Sequence, residues 1–117
     1  MAEQLRIQRY QAAIPVKFFG LESITPVGEG VIVDISKGGA KIYSARPFPQ
    51  IDKLILQIML REDIILNDVH ASVAHYTRNQ HGCFIGLKFT SLPKNKMDLL
   101  ITYVTKHQYP VKGNPCR

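Results

Sequence analysis

Hydrophobic residues recur with a period of two along most of this chain. From Lys53 to Leu60, Leu54, Leu56, Ile58 and Leu60 share one face, while Ile55, Gln57 and Met59 share the other. That is the pattern of a strand with its two faces in different surroundings. The run Ile14-Pro15-Val16-Lys17-Phe18-Phe19 combines β-formers with an early proline, as an edge or first strand can. Gly20 to Pro26 reads as a loop. GEGVIVD, residues 28 to 34, predicts a second strand with Val31 and Val33 on one face and Ile32 on the other. Ala40 to Tyr43 alternates again, until Arg46-Pro47-Phe48-Pro49 breaks the pattern with two prolines. Arg61-Glu62-Asp63 is a turn candidate, and Ile64-Ile65-Leu66 leaves the next boundary open. Val69 to Tyr76 alternates, with Val69, Ala71, Val73 and His75 set against His70, Ser72, Ala74 and Tyr76. Polar Thr77 to Gly82 then suits a hairpin connection, and Cys83 to Phe89 is a last strand with Ile85, Leu87 and Phe89 on its core face.

Beyond Ser91-Leu92-Pro93 the period changes. Met97, Leu100, Ile101 and Val104 stand at i, i+3, i+4 and i+7, which predicts one amphipathic helix. Pro93 suits its first turn, where a missing N–H costs little. About six short, mostly antiparallel strands and a final helix make an all-β chain with one helix. A small β-barrel removes exposed sheet edges by closing on itself, with the helix capping or flanking it. A β-sandwich is the competing architecture, and the pattern barely separates the two.

The 117 residues fit one domain able to bury a core of its own. The expected organisation is a flexible basic arm over residues 1–13, a barrel with its helix over 14–107, and a tail over 108–117. The formal charge is +6, and residues 94 to 117 carry five Lys/Arg against the single acid Asp98. That balance favours an anionic partner. No basic helix or aromatic RNA-reading motif accompanies it, which argues against nucleic acid. No apolar run is long enough to span a bilayer, and no apolar leader opens the chain, so a cytoplasmic protein is expected. Cys83 and Cys116 lie far apart without a C-x-x-C pattern, which favours free thiols over a disulfide or zinc site.

Candidate chemistry is sparse. No G-x-S-x-G or comparable nucleophile frame appears, so an enzyme is not expected. His70 and His75 are five apart in a predicted strand, on opposite faces, and do not make a simple metal site; no cofactor or metal is expected. Gly28 and Gly30 precede a strand with no following helix and match no phosphate-binding fingerprint. The stretch DISKGG, residues 34 to 39, says more. Asp34 and Ser36, two apart, point the same way if the strand ends near Asp34, and Gly38-Gly39 permits a sharp, left-handed corner. An acceptor, a hydroxyl and accessible amides then share one ledge, on which a guanine N–H edge or a phosphate can rest. The same residues also make an Asx or ST turn that binds only its own backbone.

Asp34-Ile35-Ser36-Lys37-Gly38-Gly39 resembles the D/N-x-S-x-x-G signature of PilZ domains, bacterial receptors for cyclic di-GMP. RYQAAIPVKF looks like that family's entry segment, and CFIGLKFTSLP with the helix after it looks like its last strand and helix. The resemblance covers about residues 6 to 105. It implies a six-stranded antiparallel β-barrel with a C-terminal helix, a ligand site of Asp34, Ser36, Gly38 and Gly39, and an R-x-x-x-R motif before the first strand. Aligning Ile14-Pro15-Val16 with the usual start of that strand puts the first arginine at Arg9 and the second at Ala13. The second is a departure, because a guanidinium makes paired bonds to phosphate or to guanine O6 and N7, and alanine makes none. Losing one such contact costs roughly 1.5 to 3 kcal/mol, about tenfold to more than a hundredfold in affinity. Arg6 either compensates from the same arm or is solvated surface. Tyr10 either stacks on a base or packs on the barrel. Lys37 and Lys41 add positive field near the corner without fixing geometry. The resemblance thus implies a cyclic di-GMP module that relays its signal to a separate effector protein in motility, exopolysaccharide or biofilm control. Its alternative is an adaptor that keeps the barrel, has lost the nucleotide, and acts through protein contacts.

Overall fold

A computed structural model describes residues 10–48 and 51–106. Within them six strands run β1 (Tyr10–Phe19), β2 (Gly28–Ile35), β3 (Gly39–Ser44), β4 (Lys53–Arg61), β5 (Ile64–Asn79) and β6 (Gly82–Ser91), followed by helix α1 (Lys94–Lys106). All pairings are antiparallel, and the strands close in the order β1-β2-β3-β6-β5-β4. The chain is therefore a barrel and not a sandwich. β1 begins at Tyr10, so Tyr10 to Ala13, expected in the arm, belong to the strand. Pairing with β2, Tyr10 to Ile35 and Gln11 to Asp34, carries the strand past the point where its own apolar run begins.

The alternating faces of β4 behave as read: Leu54, Leu56, Ile58 and Leu60 are all buried. They meet Ile14, Val16 and Phe18 of β1, Ile42 of β3, and Ile85 and Leu87 of β6 in one core. Each such side chain contributes roughly 1.5–3 kcal/mol when withdrawn from water. Leu100 and Val104 of α1 are fully buried in the same cluster. The helix lies against β1, and the Pro93 carbonyl accepts N–H bonds from Lys96 and Met97 as the first turn closes.

The strand pairings shift register at several places, and three of these bulges account for departures from the expected pattern. In β5, Leu66 and Val69 are both buried although three residues apart. The register against β4 shifts between them, and Asp68 takes a positive φ of 59°. That break hid the true start of β5, five residues before the expected one. A second shift falls between Val73 and His75. It moves His75 from the core face, where strict alternation placed it, to the outer face opposite Gly86. The expectation that His70 and His75 face opposite ways is thereby overturned, since both belong to the outer surface. Five residues of strand still hold them roughly 16 Å apart. The third bulge is at Val33. Ile32 pairs with Ile42, but Asp34 pairs with Lys41, and across β1 the residues between Gln11 and Ile14 face this one position. Ile32 and Ile35 therefore both point into the core.

The β2–β3 corner is a tight turn. Ser36 N–H donates to the Gly39 carbonyl at 2.9 Å, leaving Lys37 and Gly38 at the tip. Phe89 N–H of β6 donates to the Gly38 carbonyl at 2.9 Å, which ties the turn to a third strand. The expected left-handed corner is not formed. Among the described residues positive φ occurs at Asp68 and Gly82, so Gly38 and Gly39 are glycines for another reason. A Cβ on Gly39 would stand 2.0 Å from the Leu87 carbonyl oxygen, whereas one on Gly38 would meet nothing within 4 Å. Closeness of β3 to β6, not handedness, requires the second glycine. Gly39→Ala should accordingly lower stability by about 1–3 kcal/mol, the usual cost of overpacking, with Gly38→Ala within about 0.5 kcal/mol of the parent. Urea unfolding of the two variants checks this, and equal midpoints would contradict it.

Candidate functional site at the β2–β3 corner

The Val33 bulge sets a row of residues across the outside of the barrel. Gln11 of β1 pairs with Asp34 of β2, Asp34 with Lys41 of β3, Lys41 with Gly86 of β6, and Gly86 with His75 of β5. Asp34 is half-buried, and its Oδ1 is shielded from solvent. Ser36 is only 4% exposed. Its hydroxyl accepts a bond from Gly38 N–H at 3.3 Å, so the turn-stapling role open to it in the sequence is realised. A hydroxyl that accepts there keeps its own proton for another partner. Gly38 is exposed at the tip, and Gly39 sits in the strand behind it. The structure thus brings Asp34, Ser36, Gly38 and Gly39 together on one corner.

Arg6 and Arg9 lie outside the described residues. Ala13 is within them: it is exposed on β1, at the bulge facing Val33, one position along β2 from Asp34. A longer side chain at residue 13 would stand beside the corner. Tyr10 packs against the core cluster, the second of its two expected roles.

Two neighbours of the corner have a more definite place than the sequence suggested. Lys41 holds its Nζ over the Phe84 ring, 5.7 Å from the centroid. That is within range for attraction between a cation and an aromatic face. The Phe84 ring lies against Tyr43, with centroids 5.3 Å apart, and the Tyr43 hydroxyl donates to the His81 carbonyl at 2.5 Å. Lys88 stands opposite Gly39. Lys41 is thus the register partner of Asp34, Lys88 that of Gly39, and Lys37 stands at the tip of the turn. Lys37 and Lys41 were legible near the corner from the sequence; Lys88 was not, because parity on β6 says nothing of which residues become its neighbours.

Elsewhere, Cys83 is a buried free thiol, as expected for that residue. Its Sγ donates to the Arg46 carbonyl and lies 3.3 Å from the Tyr76 hydroxyl. The Cys83 contact, with partial burial, holds the Tyr76 phenol above its ordinary range. Two hollows of about 470 and 640 Å³ flank this region. Phe18, Val27 and Arg46 line one, and Phe48, Ile51 and Tyr76 the other. They lie away from DISKGG, beyond the opposite end of β2 and β3. Among the described residues no three His, Cys, Asp or Glu side chains gather as metal ligands would. No helix there is long and apolar enough to cross a membrane.

Solved structures share this architecture. The PilZ domain of Escherichia coli YcgR with c-di-GMP is 11% identical, with a TM-score of 0.67 over 86% of this chain and 88% of that one. E. coli YcgR in complex with c-di-GMP gives 12% identity and a TM-score of 0.66 over 87% and 45%. Bacillus subtilis MotI/DgrA, an inhibitor of motility, gives 18% and 0.65 over 87% and 50%. The chain thus spans about half the length of the MotI and YcgR chains. No curated protein matches it in sequence. At such identities the likeness establishes the fold, and the sequence itself supplies the lineage: residues 4–106, which include all six strands and the helix, match the PilZ domain model, and the chain belongs to the PilZ domain family.

Proposed function

We propose that this chain is a cyclic di-GMP receptor module that performs no chemistry and passes its signal to a separate cytoplasmic effector protein. The observation that carries this reading is the corner itself, where Asp34 and Gly39 share an outer face with Lys41 and Lys88, and Ser36, buried behind them, staples the turn. A carboxylate there accepts the N–H donors of a guanine edge, and the bare Gly38 tip lets a purine or phosphate approach the backbone. Arg9 and Arg6, which precede β1 in the sequence, are the cationic contacts of this reading. The structural neighbours with c-di-GMP lend support through their shared fold. The motility inhibitor among them makes motility the first process to test, with exopolysaccharide and biofilm control alongside.

One observation favours a second reading. Ala13 stands exposed beside the corner, where the family motif has an arginine, so an adaptor that acts without nucleotide is the alternative. Calorimetry decides between them. The receptor reading expects saturable binding of cyclic di-GMP at concentrations below about 100 μM, an affinity of about −5.5 kcal/mol or stronger. Absence of such heat favours the adaptor.

For Asp34→Ala we expect binding to weaken by at least about tenfold, the loss of a charged hydrogen bond, with an unchanged circular dichroism spectrum. Unfolding would instead assign Asp34 to the turn alone. Ala13→Arg should tighten binding by about tenfold to a hundredfold. A variant no tighter than the parent would show that residue 13 does not face the ligand.

A further inference from the structure

We propose that an apolar strip on the outside of the barrel, Met59-Pro15-Val31-Tyr43, is where the effector docks, and that this effector is an acidic protein bound transiently through a small apolar projection. The proposal rests on the part that both readings above share, action through a separate protein. Ile58, Ile14, Ile32 and Ile42, each next in the chain to one of the four, are buried in the core, so the four point outward. They lie side by side across four strands. Pro15 is the register partner of Val31, and Val31 that of Tyr43. Val16 pairs with Ile58, which sets Pro15 against Met59. An open hollow of about 390 Å³ lies among them. Tyr43 continues the strip to its partner Phe84 on β6, and Met59 to its partner Ile65 on β5, which is 43% exposed. The rows on either side are polar: Gln57, Lys17 and Glu29 pair in one, and Asp34 and Lys41 in the other. A solvent-facing row of a sheet is ordinarily polar, whereas an apolar centre with a polar rim is the anatomy of a protein contact.

Size and charge choose the occupant. A barrel is convex, so a partner meets the three strand intervals from β4 to β3, a strip about 14 Å long. One side chain deep, it falls far short of the roughly 800 Å² per partner that a stable dimer buries, and it suits a signalling encounter. Charge also opposes a second copy, because each chain carries +6 and like-charged bodies repel on approach. Close to the strip the charges are balanced: Lys17 stands opposite Glu29, Lys41 opposite Asp34, and Arg61 lies 3.2 Å from Asp63. The field met at a distance is therefore that of the whole chain, which draws an acidic protein, while the contact itself is apolar. The strip is ordered in advance. The Tyr43 hydroxyl donates to the His81 carbonyl and its ring lies against Phe84, so it loses little freedom on being covered. Lys41 Nζ lies over that same Phe84 ring, which gives the strip and the DISKGG corner a shared boundary.

Site-specific photocrosslinking tests this with the full chain, in cells of the organism that encodes it. Benzoylphenylalanine replaces Val31 or Met59 on the strip, and Ile24 or Leu99, which are exposed apolar positions off it. The expected result is one discrete adduct with another protein from Val31 and from Met59, and none from Ile24 or Leu99. Identified by mass spectrometry and purified, that protein should bind the wild-type chain, less tightly as salt is raised. Val31→Glu and Met59→Glu each remove apolar contact and repel an acidic partner, and each should weaken binding about tenfold or more. Ile24→Glu should bind like wild type. Circular dichroism reports the fold of each variant, and if one of the strip variants unfolds the other carries the comparison. An adduct between two copies of this chain overturns the proposal, as does a partner whose binding is indifferent to salt or to both strip substitutions. Equal adducts from all four positions, or adducts from Ile24 or Leu99 alone, overturn the strip but leave action through a separate protein standing. No adduct at any position overturns both.

Discussion

Backbone contact between β3 and β6 is the constraint on which the candidate site depends. At Gly39 the two strands approach so closely that no side chain fits between its Cα and the Leu87 carbonyl. This approach joins β2-β3 to β6-β5 and so closes one side of the barrel. The same approach anchors the DISKGG turn through the bond from Phe89 N–H to Gly38. A corner held by three strands presents Asp34 on a stiff support, with Ser36 buried in the turn beneath it. Preorganisation of that kind reduces the ordering cost that a loop-borne site meets on binding.

Closure also demands curvature, and the bulges provide it. A strand that kept strict alternation along its whole length would curve too little to complete a six-stranded barrel. Each bulge has a second effect, on which face a side chain occupies. At Val33 it turns Ile32 and Ile35 inward together and seats Asp34 between Gln11 and Lys41. At Ala74, in the shift between Val73 and His75, it lays the His75 ring over Gly86. The outer row that runs from Gln11 to His75 is a by-product of bending the sheet shut.

This arrangement gives Ala13 a more specific meaning. In the sequence it aligns with the second arginine of a motif expected before the first strand. In the barrel it is an exposed position at the bulge beside Asp34, on the side of the corner away from Lys41. The positive charge of the ledge is thus weighted toward β3 and β6, where Lys41 and Lys88 lie, and away from the part of β1 that the structure describes.

Local chemistry was enough to read much of this protein. The core face of β4, the Met97-Leu100-Ile101-Val104 stripe of α1 and the acceptor-hydroxyl-glycine order of DISKGG all follow from side-chain type and spacing, because the period of an element is a property of its own backbone. The family signature was legible for the same reason. Tertiary structure decided what spacing cannot: the closed barrel in place of a sandwich, the bulges at Val33, Asp68 and Ala74, the outward turn of His75, and the reason for Gly39. Strand register is settled by hydrogen bonds between segments distant in the chain, and one residue of slip reverses every face beyond it. Lys41 shows the difference. Its charge is written in the sequence, but its place between Asp34 and Gly86, held over Phe84, exists only once β3 has paired with both β2 and β6.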